Sequence, residues 1–90
     1  MTTPLTGAIA ISPGYRLQWE PVQNAHVLLF PEGMIKLGAS AAEILLMCDG
    51  ERDETAIIAA LQAKFPGADL ATDVREFLEV AHDKGWISTD

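Results

Sequence analysis

The side chains in this sequence that could act as nucleophiles or transfer protons are few. Cys48 is the only cysteine, and His26 and His82 are the only histidines. A thiol beside an imidazole can perform nucleophilic catalysis, so a pair of Cys48 with either histidine is the first chemistry to consider. The hydrophobic residues before Cys48, however, place it on the apolar side of a predicted helix, where cysteine acts as a small hydrophobe. We therefore expect Cys48 to be a core residue and the protein not to be an enzyme.

The acidic residues form no pattern that is typical of a metal or phosphate site. A zinc site needs three or four ligands at recognisable spacing, and the sequence has no such cluster. Glu51, Asp53 and Glu54 are close together but lack the twelve-residue, glycine-centred pattern of a calcium loop. A solvated turn that caps a helix explains them better. There is also no glycine-rich phosphate loop, so we expect neither a metal nor another cofactor.

Size and charge restrict the class of protein further. The chain has 90 residues, enough for one domain with a modest core, and a formal net charge of -7. The excess negative charge lies after Gly38, and such a surface repels phosphate backbones and anionic membranes. Neither a nucleic acid nor a membrane is therefore an expected partner. The sequence has no signal-peptide pattern and no apolar run of about 20 residues, which predicts a soluble, cytoplasmic protein.

The elements that would position these residues are strands in the first half of the chain. Residues 1–13 contain prolines, threonines and a glycine without a sustained period, and predict a flexible leader that Ile9 and Ile11 pin to the domain. Three further segments alternate in polarity or form short apolar runs, as strands do: 15–20, 26–30 and 34–37. Pro31-Glu32-Gly33 has turn chemistry and joins the second strand to the third.

The second half predicts three helices. Their apolar residues recur at helical spacing over approximately 40–49, 53–65 and 71–84. Ser40 and Glu43 match a capping box at the first helix, and Gly50 fits its C-terminal cap. Asp53 is the predicted N-cap of the second helix, and Gly85 is the predicted cap after the third. The sequence therefore predicts an α+β, winged-helix-like domain over residues 14–90, with a three-stranded antiparallel sheet followed by a three-helix cluster.

The predicted sheet has a feature that could serve binding. Three strands cannot close into a barrel, so at least one edge has unpaired backbone groups, and the strand at 34–37 carries one lysine and no proline to protect it. If this edge lies beside the third helix, it could accept a guest peptide as a fourth strand. The alternative is an edge that the helix or a second subunit covers.

Several motifs, in order and at fitting intervals, closely resemble the pyrroloquinoline quinone (PQQ) biosynthesis protein D (PqqD) family. They lie at 15–20, 27–37, 40–41 with 43–45, 48–50 and 85–87, and the resemblance covers residues 13–88. It implies a peptide chaperone, the recognition element of a pathway that makes a redox cofactor from a ribosomal precursor. Such a protein binds the precursor peptide PqqA and presents it to the radical S-adenosylmethionine (SAM) enzyme PqqE.

The resemblance also implies where the peptide binds, which is along the third strand and against the third helix. In this sequence it predicts the following peptide-binding residues: Met34, Ile35, Lys36, Leu37, Ala71, Val74, Arg75, Leu78 and His82. Either flank of the helix could line the groove, and the other flank consists of Asp73, Phe77, Val80 and Lys84. The flank with Arg75 is preferred because its guanidinium could pair with a peptide carboxylate.

Three other functions remain as alternatives. One is a quinone-binding or catalytic role, for which the sequence has no polar cluster. A winged-helix transcription regulator would need a basic third helix, yet residues 71–84 carry four acids against two bases. A structural module could form a homodimer through the sheet edge or by hairpin exchange.

Overall fold

Two small sheets and three helices make up the fold. The structure, a computed structural model, describes residues 5–89. In chain order the elements are β1 (Ile9–Ile11), β2 (Arg16–Glu20), β3 (Ala25–Phe30), β4 (Gly33–Lys36), α1 (Ala39–Leu46), α2 (Glu54–Lys64), α3 (Ala71–Asp83) and β5 (Ile87–Thr89). Within residues 5–89, no helix has both the length and the apolar composition needed to cross a membrane.

The larger sheet contains the three predicted strands. β2, β3 and β4 pair antiparallel in that order, so β3 is central and β2 and β4 are the edges. Val27 and Leu28 of β3 are fully buried, as expected for an apolar strand that is covered on both faces. The predicted α+β, winged-helix-like fold, with this sheet followed by three helices, is confirmed.

The smaller sheet pairs β1 with β5 and is not predicted by the sequence patterns. Ile9 lies opposite Thr89, and Ile11 lies opposite Ile87. The other side of β1 is held by the loop after α1: the N–H of Ile9 donates to the Arg52 carbonyl at 2.8 Å, and the N–H of Gly50 donates to the Ile9 carbonyl at 2.9 Å. β1 therefore has backbone partners on both sides.

The predicted leader over residues 1–13 differs from the structure at β1. Residues 1–4 lie outside the described part of the chain. From residue 9, however, the backbone is paired, and the Ile9 side chain is fully buried in the core. Burying such a side chain contributes about 1.5–3 kcal/mol, which favours an ordered strand over a flexible segment. The folded body therefore begins before residue 14.

One hydrophobic core joins the sheets to the helices. Its buried side chains come from both sheets and all three helices: Ile9, Leu28, Leu37, Leu45, Ile57, Leu61, Val74, Leu78, Ala81 and Ile87. Because β3 and α3 contribute to the same cluster, the larger sheet is held against the helices through their apolar faces.

The start and end of α1 differ from the predictions made from the sequence. The helix begins at Ala39, and its N-cap is Gly38, whose extended backbone leaves Ser40 inside the first turn and without a capping bond. The predicted capping box is therefore wrong. Gly50 is not the C-terminal cap either, because α1 ends at Leu46 with Met47 as its C-cap, and the Gly50 amide is used by β1.

The predicted cap at the start of α2 and the predicted cap after the end of α3 are confirmed. Asp53 is the N-cap of α2, and its carboxylate accepts a hydrogen bond from the Ala56 amide at 2.8 Å. After α3, the Gly85 amide donates to the His82 carbonyl and the Trp86 amide donates to the Ala81 carbonyl. These are the two bonds of a Schellman motif, and the φ of +81° at Gly85 suits the glycine that this motif favours.

The contrast between Asp53 and Ser40 gives a matched test of the caps. We expect Asp53→Ala to lower the free energy of unfolding by about 1 kcal/mol, because it removes a side-chain bond to an otherwise unpaired amide. Ser40→Ala should change it by no more than about 0.5 kcal/mol, because the Ser40 hydroxyl caps nothing. Urea unfolding followed by circular dichroism measures both values, and a larger loss for Ser40→Ala would contradict the assigned cap.

Candidate functional site

The outer edge of β4, the strand that carries the predicted site residues, has an open backbone. β4 pairs with β3 along one side, and no strand among residues 5–89 pairs with its other side. Lys36 supplies the only charge on the strand, and no proline interrupts it. Natural sheets protect their edges with charged side chains and prolines, so β4, which has one charge and no proline, is lightly protected.

The pairing register shows which backbone groups of β4 are available. The Leu37 N–H donates to the His26 carbonyl at 3.0 Å, one step beyond the pair that Lys36 makes with Val27. Hydrogen-bonded pairs alternate along an antiparallel ladder, so Ile35 also bonds towards β3. The N–H and C=O groups of Met34 and Lys36 therefore point away from β3. Two residues thus offer two donors and two acceptors to a guest strand.

The side chains of β4 and of the residue after it alternate between solvent and the core. Met34 is 52% exposed, and Lys36 is also exposed, whereas Ile35 packs against the core and Leu37 is buried. Ile35 and Leu37 therefore anchor the strand, and Met34 and Lys36 are accessible to a guest. Of the four residues predicted here, two can make side-chain contacts.

The predicted residues on α3 do not all face the same way. Val74 and Leu78 are buried in the core and have no surface to offer a peptide. Arg75 lies beside α2, with its Nε 3.7 Å from a carboxylate oxygen of Glu54, which is itself 8% exposed. The flank of α3 that carries Arg75 therefore faces α2. Ala71 and His82 lie on this same flank, at helical spacing from Arg75.

The opposite flank of α3 is the better candidate for the wall of a groove. Successive residues turn by about 100° around a helix, which places Asp73, Phe77 and Val80 on the side away from Arg75. Phe77 is half-buried against the core, and Val80 is 48% exposed. We favour this flank over the Arg75 flank because the Arg75 guanidinium already lies near the Glu54 carboxylate. The sequence carried one relevant signal, which is the exposed apolar position of Val80 outside the core stripe.

A concavity of about 480 Å³ lies among the three helices, and we call it the three-helix pocket. Its lining comes from the first turn of α1, the C-terminal end of α2 and the start of α3, and is as follows: Ala39, Ser40, Glu43, Ile44, Leu61, Phe65, Ala68, Leu70, Asp73 and Val74. Ala39 and Ser40 follow β4 along the chain after Leu37 and Gly38. The pocket therefore lies where β4 ends and α3 begins.

The groups first considered for catalysis lie elsewhere. Cys48 is 4% exposed, its Sγ donates to the Ile44 carbonyl at 3.4 Å, and burial, with a smaller effect of the Asp49 charge, raises the thiol pKa to about 12. A thiol with this pKa is protonated at neutral pH and is a poor nucleophile. The prediction that Cys48 is a core residue is confirmed. Among residues 5–89, no three histidine, cysteine or carboxylate side chains are placed to hold a metal ion.

The motif at residues 48–50 has a structural role instead. The Asp49 carboxylate accepts a bond from the Glu51 amide at 3.0 Å and pairs with Arg52 at 2.6 Å. The Glu51 amide and the Arg52 guanidinium lower the pKa of Asp49. These contacts shape the loop whose backbone holds β1, so the motif links the end of α1 to the smaller sheet.

Comparison with known proteins decides the family. A family model described as Coenzyme PQQ synthesis protein D (PqqD) matches residues 25–87, which is more than half of the chain. The chain belongs to the PqqD family. The matched PqqD segment runs from β3 to the first residue of β5, so it includes the open edge of β4 and all of α3. The resemblance found in the sequence motifs is thereby confirmed.

Individual members of the PqqD family are close in sequence. A PqqA binding protein of Azotobacter vinelandii is 54% identical over 86 residues, which cover 94% of each chain. A PqqA binding protein of Pseudomonas fluorescens is 57% identical over 79 residues, which cover 87% of each chain. Identity of this size over nearly the whole length indicates the same fold in all three proteins.

Two solved structures share the fold. One is the solution NMR structure of the PqqD truncation of Methylobacterium extorquens PqqCD, described as a functional, stand-alone recognition element for ribosomally synthesized and post-translationally modified peptides (RiPPs). It is 28% identical, with a TM-score of 0.71, over 89% of this chain and 87% of that one. The other is the heterocyclase TruD, which is 24% identical with a TM-score of 0.69 and contains the fold in 11% of its chain.

Proposed function

We propose that this protein is a peptide chaperone of PQQ biosynthesis that binds the precursor peptide PqqA by strand addition at β4. The observation that carries the proposal is the open edge of β4, with the backbone groups of Met34 and Lys36 pointing away from the sheet. The names of the relatives, which are PqqA binding proteins, and the solved recognition element of the family support it.

In this proposal, affinity has two sources. Four outward backbone groups can form hydrogen bonds with a guest strand, and each such bond contributes about 0.5–1.5 kcal/mol net. Because an added strand alternates its side chains, every second guest residue faces the wall formed by Phe77 and Val80 of α3. Met34 supplies exposed apolar surface, and its flexible side chain can adapt to different guest residues. We do not assign Ala71, Arg75 and His82 to the contact surface.

The bound peptide is then presented to the radical SAM enzyme PqqE, and this domain performs no chemistry itself. A ribosomally made precursor places this encounter in the cytoplasm. The acidic surface of the helices is suited to steer association with a basic surface on that enzyme, and such association slows as salt is added.

The second edge of the larger sheet is the main competitor for a guest strand. β2 is also unpaired on its outer side within the described residues. On β2, however, Arg16 donates to the Gln18 side chain at 2.8 Å, and Gln18 donates to the Glu20 carboxylate at 2.5 Å. Charged and hydrogen-bonded side chains along a strand oppose edge pairing, so β4 is favoured.

Titration of the ¹⁵N-labelled protein with synthetic PqqA tests the proposal. We expect amide shifts at Met34, Lys36, Phe77 and Val80, because these residues line the proposed groove. The amides of Met34 and Lys36 should also exchange with solvent at least about tenfold more slowly at saturation, because each gains an acceptor. Shifts confined to β2 or to α2, or no binding at all, would contradict strand addition at β4.

A further inference from the structure

The three-helix pocket has the size and lining of a site for a large apolar group. Its volume of about 480 Å³ falls in the range of ligand pockets, about 300–1,000 Å³. Phe65, at its rim, is 41% exposed, whereas Leu61 and Val74 beneath it are buried. The pocket therefore has an apolar floor and one large aromatic side chain that is only partly covered.

The lining of the pocket includes the chain that follows β4 and one residue of the proposed groove wall. Ala39 and Ser40 at its mouth begin three residues after Lys36, the last residue of β4. Asp73, which also lines the pocket, belongs to the flank of α3 that forms the proposed groove wall. Because a guest strand advances about 3.3 Å per residue, we expect it to reach the level of Ala39 about three residues beyond the one that pairs with Lys36.

The charges at the rim are not equivalent. Glu43 is already paired, since its carboxylate lies 2.6 Å from Nζ of Lys64. Asp73 has no ion pair with any residue in the range 5–89, and it is exposed. A cation carried beside an apolar group would therefore find a free carboxylate at Asp73. The Asp73 carboxylate would therefore attract a basic residue next to the apolar group and repel an acidic one.

We propose that the three-helix pocket binds a large aliphatic or aromatic side chain of the guest peptide, located just beyond the strand-paired segment, while Asp73 pairs with a lysine or arginine next to it. This inference rests on the proposed function, because it needs a guest strand at β4. It adds a recognition element that is independent of the backbone. The pocket then sets the register of the guest, since backbone pairing alone permits a shift of two residues.

Filling the pocket tests this inference. Ala68→Trp places an indole at the mouth from an exposed position in the loop between α2 and α3. We expect the Kd for synthetic PqqA, measured by isothermal titration calorimetry, to rise about tenfold, because the guest side chain loses its burial. Ala59→Trp is the matched control on the exposed face of α2, outside the pocket, and should bind as the wild type does. Equal Kd values for both variants and the wild type would overturn the inference.

The role of the Asp73 charge is tested by a second pair of matched variants. Asp73→Asn should weaken binding about threefold at low salt, and the difference should shrink as salt is added. Glu79→Gln removes the same charge from the side of α3 that carries Arg75 and should leave the Kd unchanged. An equal effect of both substitutions would mean that only the net charge matters, which would overturn the assigned role of Asp73.

Direct contacts in the wild-type complex separate this inference from the proposed function. We expect intermolecular nuclear Overhauser effects (NOEs) from a guest side chain to the Ala39 and Ala68 methyl groups and the Phe65 ring. Binding with shifts at β4 but no such contacts would overturn the inference alone. No binding by the wild type would overturn the proposed function as well. Concentration-dependent shifts of these methyl groups without peptide would show that a second copy occupies the pocket, which would also overturn the inference.

Discussion

Replacing Lys36 with proline should raise the Kd for PqqA at least about tenfold while the domain stays folded. Proline removes the Lys36 N–H, which points away from β3, and its ring occupies the space where a guest strand would lie. The bond between β3 and β4 nearest to it is donated by Leu37 and is retained. Isothermal titration calorimetry measures the Kd, and circular dichroism checks the fold.

Two further variants make the Lys36 experiment specific. Lys36→Ala removes the same side chain but keeps the N–H, so it should bind within about threefold of the wild type. Ile35→Pro removes an N–H that points towards β3 and should instead destabilise the sheet, because proline is not tolerated where a ladder bond is made. If Lys36→Pro binds the peptide as the wild type does, strand addition at β4 is wrong.

Replacing Ile9 with alanine should lower the free energy of unfolding by about 3 kcal/mol, within the range of 2–5 kcal/mol for large-to-small changes in a core. Ile9 is fully buried, and its side chain belongs to the same cluster as Leu28 and Leu78. Surrounding side chains can fill only part of the space that the substitution leaves. Urea unfolding measures this loss of free energy. An unchanged slope of the unfolding free energy against urea concentration checks that unfolding stays two-state.

Val22 provides the control for Ile9. It lies in the turn between β2 and β3 and is 96% exposed, so Val22→Ala should change the stability by no more than about 0.5 kcal/mol. A loss below about 1 kcal/mol for Ile9→Ala would contradict this prediction, because it would show that β1 contributes little to the core.

Local patterns predicted the elements whose signals are contained in a few residues. Alternation of polarity gives β2, and turn chemistry at 31–33 gives the hairpin of β3 and β4. Asp53 caps the start of α2 and Gly85 follows the end of α3, as predicted. Each forms a hydrogen bond with a backbone group only three residues away. Ser40 is not the N-cap because Gly38 caps the helix two residues earlier, and local rules do not separate two cap candidates that lie so close together.

The smaller sheet could not be predicted by local rules. β1 and β5 have three residues each, too few to show a period, and they pair only because the chain brings residue 9 back to residue 89. The flank of α3 that faces α2 was equally hidden. It depends on where α2 places Glu54, and that position follows from packing across the core and not from the spacing within α3.

The pairing of Ile9 with Thr89 also has a consequence for how the protein folds. This contact closes a loop of nearly the whole chain, and the entropy lost on closure grows with loop length. The hairpin of β3 and β4 and the helices need only local contacts and can form first. During synthesis, the core position of Ile9 can be completed only after residues 87–89 leave the ribosome. Until then, the nascent domain exposes the apolar surface that β5 covers, and such exposed surface favours aggregation.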